Sequence, residues 1–189
     1  EIGIAGFNAC KALSTKRGDD PTKASRPYDK NREGFVPSHG AGALILEDLD
    51  HAMARGATVY GEVLGCTSTS DGCHLPSPST DGQARTLERL LRRNRLRPED
   101  IDYVSAHATS TPLGDKSEVL AIKKVFGDHA YKLKINAPKS MLGHTCWSAP
   151  AVETVAAMLQ MKHGKLHPSI NIETMDPEID LDVCANQAV

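Results

Sequence analysis

Short apolar runs alternate with amphipathic helical patterns along most of this chain, and this alternation constrains the fold more than any other feature. Strands that alternate with helices favour an α/β fold with parallel strands. Gly42–Glu47 is almost wholly apolar and predicts a strand buried on both faces. The predicted strands are Gly42–Glu47, Thr58–Leu64, Ile101–Ala106, Leu133–Ala137 and Leu181–Val183, and the predicted helices are Leu49–Arg55, Gln83–Leu96, Asp115–Phe126 and Ala151–Lys162.

Two histidines each follow one of these predicted strands. His107 comes directly after Ile101–Ala106, and His144 lies shortly after Leu133–Ala137. Because the carboxyl ends of parallel strands meet at one edge of a sheet, we expect both imidazoles at the same ligand-binding edge. Either histidine alone is more simply an ordinary loop residue, but two in the same setting favour a shared site.

The charge balance disfavours several classes of function. The 189 residues are 40% hydrophobic and carry a formal net charge of −2. This composition is typical of a globular domain with one sizeable core, and it argues against nucleic-acid binding. No apolar run is long enough to cross a bilayer and no signal segment opens the chain, so we expect no membrane partner.

The cysteines predict neither disulfides nor a metal site. Their number is five and their spacing is irregular, which favours reduced thiols in a cytoplasmic protein over a disulfide framework. Cys66, Cys73 and His74 lie close together in sequence. No second closely spaced pair accompanies them, so zinc binding is not expected.

Longer motifs surround both histidines. Residues 107–115 read HATSTPLGD and residues 139–144 read KSMLGH. They resemble the two histidine motifs of the β-ketoacyl-acyl carrier protein synthases, which are decarboxylating condensing enzymes of the thiolase superfamily. The resemblance continues in order along the chain and includes Ala12–Thr15, Ser25–Val36, Gly40–Glu47 and Leu166–Asn171.

The resemblance implies a fold and a division of the chain. The fold is a thiolase-like layered αβαβα arrangement of the α/β class, only partly covered by this chain. Residues 1–56 would be the end of the first thiolase-like half, and residues 57–189 most of the second half, incomplete at its C-terminus. We therefore expect a C-terminal portion of a longer polypeptide, because the family's cysteine nucleophile and its Gly-rich late segment have no match in these residues.

The same resemblance implies an activity: decarboxylative Claisen condensation of malonyl-carrier protein with an acyl thioester, in fatty acid or polyketide biosynthesis. His107 and His144 would donate hydrogen bonds to the enolate oxygen that forms on loss of carbon dioxide. No cofactor is implied, since the substrate is carried on the phosphopantetheine of an acyl carrier protein. Family members are typically dimers, so a homodimer or a pair with a sister chain is expected.

Further residues acquire roles by the same resemblance. Lys139 would pair with Glu153 and hold the loop that carries His144, unless the pair is merely a surface contact. Thr109 and Thr111 match hydroxyl positions that contact the pantetheine arm. For two neighbours of the threonines structural roles are the better interpretation, a turn at Ser110 and a helix cap at Asp115. Asp71 and His74 lie elsewhere, in a stretch that resembles the family's channel-lining loop.

Departures from the family pattern leave alternatives open. Trp147 is bulky where close backbone packing is expected, which predicts a short acyl pocket. Together with Ala108 and residues 37–39 it suggests a specialised branch, such as a ketosynthase-type malonyl-carrier-protein decarboxylase that does not condense. A non-catalytic chain-length partner is a second alternative, but such partners often lack the histidines and lysine found here.

The arginines between Arg85 and Arg97 form a local basic cluster within this nearly neutral chain. Their spacing on a predicted amphipathic helix favours a solvated helix face. A docking surface for an acidic carrier protein is the functional alternative, because complementary charge steers encounter.

Overall fold

The computed structural model of this chain describes residues 2–73 and 77–189. Short 3₁₀ turns connect several of the regular elements, and none of the helices described is long and apolar enough to cross a bilayer. The helices are α1 (Ile2–Ala9), α2 (Leu49–Ala54), α3 (Thr80–Asn94), α4 (Pro112–Phe126), α5 (Lys139–Leu142) and α6 (Ala149–His163), and the strands are β1 (Tyr103–Ser105) and β2 (Lys134–Asn136).

The parallel pair β1 and β2 lies in the main hydrophobic core. Val104 pairs with Ile135 in its register, and α3 and α4 pack on each other beside it. Because α4 connects two parallel strands, the segments that leave β1 and β2 begin at the same edge. The core includes Leu91, Val119, Ile122, Phe126, Leu133 and Ile135.

Recognisable residue types mark the ends of the long helices. The Ser79 hydroxyl caps α3 by accepting the N–H of Gly82 at 3.1 Å. Gly127 ends α4, and Gly164 ends α6 in the left-handed conformation that glycine adopts without a steric cost. The existence and type of these helices are therefore fixed locally.

The expected role of Asp115 as a helix cap is wrong. The helix α4 begins earlier, at Pro112, because proline fits a first helical turn where no N–H partner is needed. Asp115 is instead buried within that turn, where its carboxylate accepts the backbone N–H groups of Tyr28 and Ser110, each at 3.1 Å. It therefore joins α4 to two other segments of the chain.

Two predicted strands, Gly42–Glu47 and Thr58–Leu64, are not strands in this structure. Both are exposed: Ile45 is 84% and Val63 is 61% accessible. Strand formation needs a neighbouring backbone to accept and donate hydrogen bonds, and among the described residues neither segment has one. They lie against α6 without forming a regular element, so the prediction of a strand buried on both faces is wrong.

Two further predictions hold only in part. Leu181–Val183 forms no strand, although its ends are buried and Ile135 donates its N–H to the Asp182 carbonyl at 2.9 Å. The helix α6 is present, but Val155 and Leu159 on its predicted buried side are 38% and 45% exposed. Periodicity identified an apolar face there, and within the described residues that face is only partly covered.

Candidate active site

A cavity of about 730 Å³ opens where the chain leaves β1, and four of the predicted site residues line it. These are the two histidines, His107 and His144, and the two threonines, Thr109 and Thr111. Lys139 and Glu153 do not belong to the lining and lie behind it. The structure therefore brings together residues that are up to 37 positions apart in sequence.

The two imidazole rings lie next to each other. Their centroids are 5.3 Å apart and their planes are inclined by 84°, an edge-to-face arrangement. Burial, together with the positive charge of Lys139 and the other imidazole, lowers the pKa of His107 to about 4. Burial and Lys139 also lower the pKa of His144. Both rings are therefore neutral at pH 7, and each carries one N–H donor.

Main-chain and ring contacts hold His144 in place. The backbone N–H of His144 donates to the Val36 carbonyl at 2.7 Å, and the backbone carbonyl of His144 accepts the N–H of Ser38 at 3.0 Å. The ring Nδ1 accepts the backbone N–H of Cys146 at 3.1 Å. Because Nδ1 is occupied as an acceptor, the proton of the neutral ring is on Nε2, which leaves Nε2–H as a donor.

Glu118, which sequence reasoning missed, fixes the start of the His107 loop. Its two carboxylate oxygens accept the backbone N–H groups of His107 at 2.8 Å and Ala108 at 2.9 Å. Glu118 is on α4, one turn after Asp115. The sequence offered one signal for Glu118, its position at the edge of the apolar stripe of this helix. Only the fold shows that its carboxylate faces back to the His107 loop.

Lys139 and Glu153 form an ion pair with little access to water. The Lys139 ammonium is 2.6 Å from the Glu153 carboxylate, and the side chains are 1% and 15% exposed. The Lys139 carbonyl also accepts the Ser25 hydroxyl at 2.6 Å. The pair thus connects α5, which precedes the His144 loop, with α6, which follows it.

The loop that carries both threonines is held from outside the cavity. The two hydroxyls, Thr109 Oγ1 and Thr111 Oγ1, are 3.0 Å apart. The guanidinium of Arg32 donates to the carbonyls of Thr111 at 3.2 Å and Pro112 at 2.9 Å, and it is also paired with Asp176 at 2.6 Å. Arg32 lies in the stretch 25–36, for which sequence reasoning gave no individual role.

Aromatic side chains form one wall of the cavity, and Trp147 is not among them. Phe35 meets the ring of His144 edge-on at 5.1 Å, and Phe7 meets Phe35 in the same way. Trp147 is 87% exposed and lies outside the described lining. The prediction that it shortens the pocket is therefore wrong for the cavity seen here, because the 3₁₀ turn after His144 directs the indole outward.

The remaining candidates have simpler explanations. Asp71 accepts the N–H groups of Cys73 at 3.0 Å and Ser79 at 2.9 Å, so it stabilises the connection before α3. His74 lies outside the described residues. Among the residues that are described, no three metal-ligating side chains come together.

Comparison with known families agrees with this geometry. Residues 60–173 match the model of the β-ketoacyl synthase C-terminal domain, and residues 1–52 match that of the N-terminal domain. The 3-oxoacyl-[acyl-carrier-protein] synthase 2 of Coxiella burnetii is 46% identical over 189 residues, which covers 99% of this chain and 45% of that protein. The chloroplastic 3-oxoacyl-[acyl-carrier-protein] synthase II of Arabidopsis thaliana is 49% identical over 181 residues, or 95% of this chain and 33% of that protein. This chain spans about half the length, or less, of these relatives.

Solved structures show the same similarity in three dimensions. AntDE:AntF, a type II polyketide acyl-carrier protein in complex with its ketosynthase, includes a chain that matches with a TM-score of 0.96 at 38% identity, covering 100% of this chain and 47% of the other. The ishigamide ketosynthase/chain length factor matches with a TM-score of 0.90 at 39% identity, covering 100% and 45%. The expected thiolase-like α/β fold is thus confirmed for the part that this chain covers, and the chain belongs to the β-ketoacyl synthase family.

Proposed function

We propose that the protein containing this chain catalyses decarboxylative Claisen condensation of malonyl-carrier protein with an acyl thioester. The observation that carries the proposal is the pair of neutral imidazoles, 5.3 Å apart, on one cavity. When the malonyl group loses carbon dioxide, the electron pair of the broken bond passes to the thioester oxygen as an enolate. Two N–H donors aimed at that oxygen stabilise the charge as it forms.

The second half of the reaction uses the same enolate. Its carbon attacks the carbonyl of the acyl thioester, a carbon–carbon bond forms, and the thiolate leaves. Neutral donors suit these two successive steps, because an imidazolium would transfer its proton to the enolate and quench the nucleophile. The lowered pKa of both histidines supports this assignment.

His144 and His107 are the proposed donors, with Lys139 and Glu153 as positioning residues. The N–H of Cys146 on Nδ1 of His144 supports donation from Nε2. The ion pair behind the cavity supports an orienting role, since neither of its members lines the space for substrate. The charge of Lys139 also favours neutral imidazoles.

Thr109 and Thr111 are the proposed contacts for the pantetheine arm. Their adjacent hydroxyls line the cavity and suit an amide-rich chain that needs hydrogen bonds and space. An acyl carrier protein is the proposed partner, which the names of the relatives and the AntDE:AntF complex support. The threonines would then bind the arm that this partner delivers.

Assembly, division into domains and location are also proposals. A homodimer or a pair with a sister chain is supported by large exposed apolar side chains, such as Ile45 and Trp147. Residues 1–56 and 57–189 are proposed as parts of two thiolase-like halves. Free thiols support a reducing, cytoplasmic location.

The test measures carbon dioxide release and chain extension separately. The intact protein is incubated with labelled malonyl-carrier protein and an acyl donor, and extended product is expected. His107→Ala and His144→Ala should each slow decarboxylation about 10²- to 10³-fold, the usual cost of one lost oxyanion donor. His51→Ala is a matched control, because that side chain is 69% exposed and lies outside the cavity lining.

The outcomes separate the alternatives. Carbon dioxide release without extended product would contradict condensation and assign a decarboxylase. Unchanged turnover in both cavity variants would show that the imidazole pair is not the oxyanion site. Absence of any reaction in the wild-type protein would favour a non-catalytic partner subunit.

A further inference from the structure

Three polar side chains, Tyr103, Asn136 and Gln160, close a cycle of hydrogen bonds and are called the amide network below. The Tyr103 hydroxyl donates to Asn136 Oδ1 at 2.6 Å, and Asn136 Nδ2 donates to Gln160 Oε1 at 2.9 Å. Gln160 Nε2 donates back to the Tyr103 hydroxyl at 3.2 Å. Each member therefore donates and accepts within the cycle, which fixes the orientation of both amides.

The amide network is largely shielded from water and has a further partner. Asn136 is 0% and Gln160 is 8% exposed. Asn136 Nδ2 also donates to the His167 carbonyl at 2.9 Å, and Gln160 Oε1 accepts the His167 N–H at 2.9 Å. Buried amides are costly unless they are hydrogen-bonded, so displacing any member of this satisfied network is unfavourable.

The amide network joins α6 to the two strands, and α6 has few other means of attachment. Tyr103 is on β1, Asn136 ends β2, and Gln160 is on the last turn of α6. Among the described residues, no side chain of α6 belongs to the main hydrophobic core, and Ala149 and Gln160 are its only buried residues. The core, which contains side chains of α3 and α4, therefore does not fix the position of α6.

Gln160 shares one face of α6 with Glu153. The two residues are seven positions apart, close to two helical turns, and are separated by about 10 Å along the helix axis. Their partners are Asn136 and Lys139, which lie three residues apart where β2 leads into α5. Two polar contacts thus attach α6 to the segment that precedes His144.

The partner of Gln160 is also connected to the other imidazole. The backbone carbonyl of Asn136 accepts the N–H of Ala106, the residue before His107, at 2.9 Å. Asn136 therefore lies between the strand that leads to His107 and the helix that carries Glu153. Gln160 itself is not part of the cavity lining, so any effect on the reaction is transmitted through other residues.

We infer that Gln160 is a positioning residue of the proposed active site, which holds α6 so that Glu153 stays against Lys139. This inference rests on the proposed function, because the ion pair is assigned there to the condensation site. Without Gln160, the contact at Lys139 remains near the start of the helix and α6 can turn about it. Misplacement of reacting or orienting groups by about 1 Å can cost about a hundredfold in rate, so such a movement is measurable.

The first test separates the chemical step from substrate binding in the intact protein. Gln160→Met removes every hydrogen bond of the side chain and nearly keeps its length. The kcat for decarboxylation should fall about tenfold, because the orienting pair is displaced. The KM for malonyl-carrier protein should stay within about twofold, since the threonines proposed to bind the pantetheine arm are not touched.

A cycle of variants shows whether Gln160 acts through the ion pair. In the background Lys139→Met with Glu153→Leu, the pair is absent and Gln160 has nothing left to position. Adding Gln160→Met to that background should change kcat by less than about twofold. A tenfold loss in both backgrounds would overturn the inference, because a general structural defect acts independently of the pair.

Two further variants control the comparison. Thr154→Val makes a polar-to-apolar change of similar shape at an exposed position of α6, where the hydroxyl binds only the Pro150 carbonyl of the same helix; kcat should be unchanged. Tyr103→Phe removes the hydroxyl from the amide network but leaves Gln160 bonded to Asn136, so kcat should fall only about threefold. If Gln160→Met does not fold, Tyr103→Phe in the same two backgrounds decides the question, and an equal effect in both would overturn the inference.

Amide hydrogen exchange measures the attachment of α6 without any reaction. In Gln160→Met the second half of α6 should exchange about tenfold faster, whereas exchange in α4 should be unchanged. Unchanged exchange in α6, or an unchanged kcat, would overturn the inference. Absence of turnover in the wild type, with faster exchange confined to α6 in the variant, would refute the condensation proposal and support Gln160 as the residue that holds this helix.

Discussion

Removing one member of the Lys139–Glu153 pair tests whether this contact is a buried ion pair. The side chains are 1% and 15% exposed, so Lys139 has almost no route to water when its partner is lost. Breaking a buried pair from one side costs about 3–5 kcal/mol, because a charge is left without compensation. Glu153→Leu should therefore reduce the free energy of unfolding by about 3–5 kcal/mol.

The two single variants should differ in a defined direction. In Lys139→Met the remaining Glu153 carboxylate is 15% exposed and can still reach solvent, so the loss should be smaller, about 2 kcal/mol. The double variant, Lys139→Met with Glu153→Leu, leaves no buried charge and should lie within about 1 kcal/mol of wild type. The coupling energy from this cycle should reach at least about 3 kcal/mol.

The pH dependence of activity should stay altered in the double variant even though its stability returns. Lys139 also lowers the pKa of His107 and of His144, after the larger effect of burial. Without the charge of Lys139 the pKa of each imidazole rises. As the pH falls, each ring then becomes protonated, and stops being a neutral donor, at a higher pH than in the wild type. The acid limb of the pH profile for decarboxylation should move to higher pH in both variants that lack Lys139.

Urea denaturation of the four proteins gives the stability cycle, and carbon dioxide release gives the rates. Single-variant losses below about 1 kcal/mol would mean that the pair behaves like a surface contact. Additive losses would show that the two side chains do not interact. An unchanged acid limb without Lys139 would refute its electrostatic effect on the imidazoles.

Three further predictions concern the same site. The pKa of His107, lowered to about 4, should keep its ring neutral well below pH 6.5, and NMR titration of the ring signals that shows a normal pKa would contradict this. Gly143 has a φ of +67°, and a Cβ added there would be 2.9 Å from the Val36 carbonyl oxygen. Gly143→Ala should therefore lower the free energy of unfolding by about 1–3 kcal/mol and should also slow decarboxylation. Gly164→Ala is the control for activity, because an added Cβ there meets open space. Arg32→Lys keeps the positive charge but loses the planar guanidinium that binds the Thr111 carbonyl. The KM for malonyl-carrier protein should rise several-fold, and kcat should be less affected. A change in kcat alone would argue against positioning of the threonine loop by Arg32.

Local sequence patterns predicted the elements whose signals are complete within a few residues. The helices α3 and α4 follow from their apolar stripes, and the end of α4 follows from Gly127. Strands behaved differently, because a strand is completed by a backbone that is distant in sequence. Gly42–Glu47 and Thr58–Leu64 have the composition of strands but no partner among the described residues, and they remain exposed chain.

The candidate site divides in the same way. Its two histidines stand out in the sequence because each follows a predicted strand, and its two threonines could be named because their motif resembles that of the family. Glu118 and Arg32 could not, because each acts on a main-chain group of a loop that it meets only in the folded chain. Trp147 is the opposite case: its place in the motif suggested a role in the pocket, but the fold directs it away from the cavity.

The sequence by itself therefore determined the family, the α/β class and the identity of the imidazoles, because these depend on residue type and order. The tertiary structure decided that the rings meet 5.3 Å apart, that a backbone N–H occupies Nδ1 of His144, and that Gln160 reaches Asn136 and Tyr103. Distances and protonation states depend on packing between segments far apart in the chain, and no local pattern specifies them.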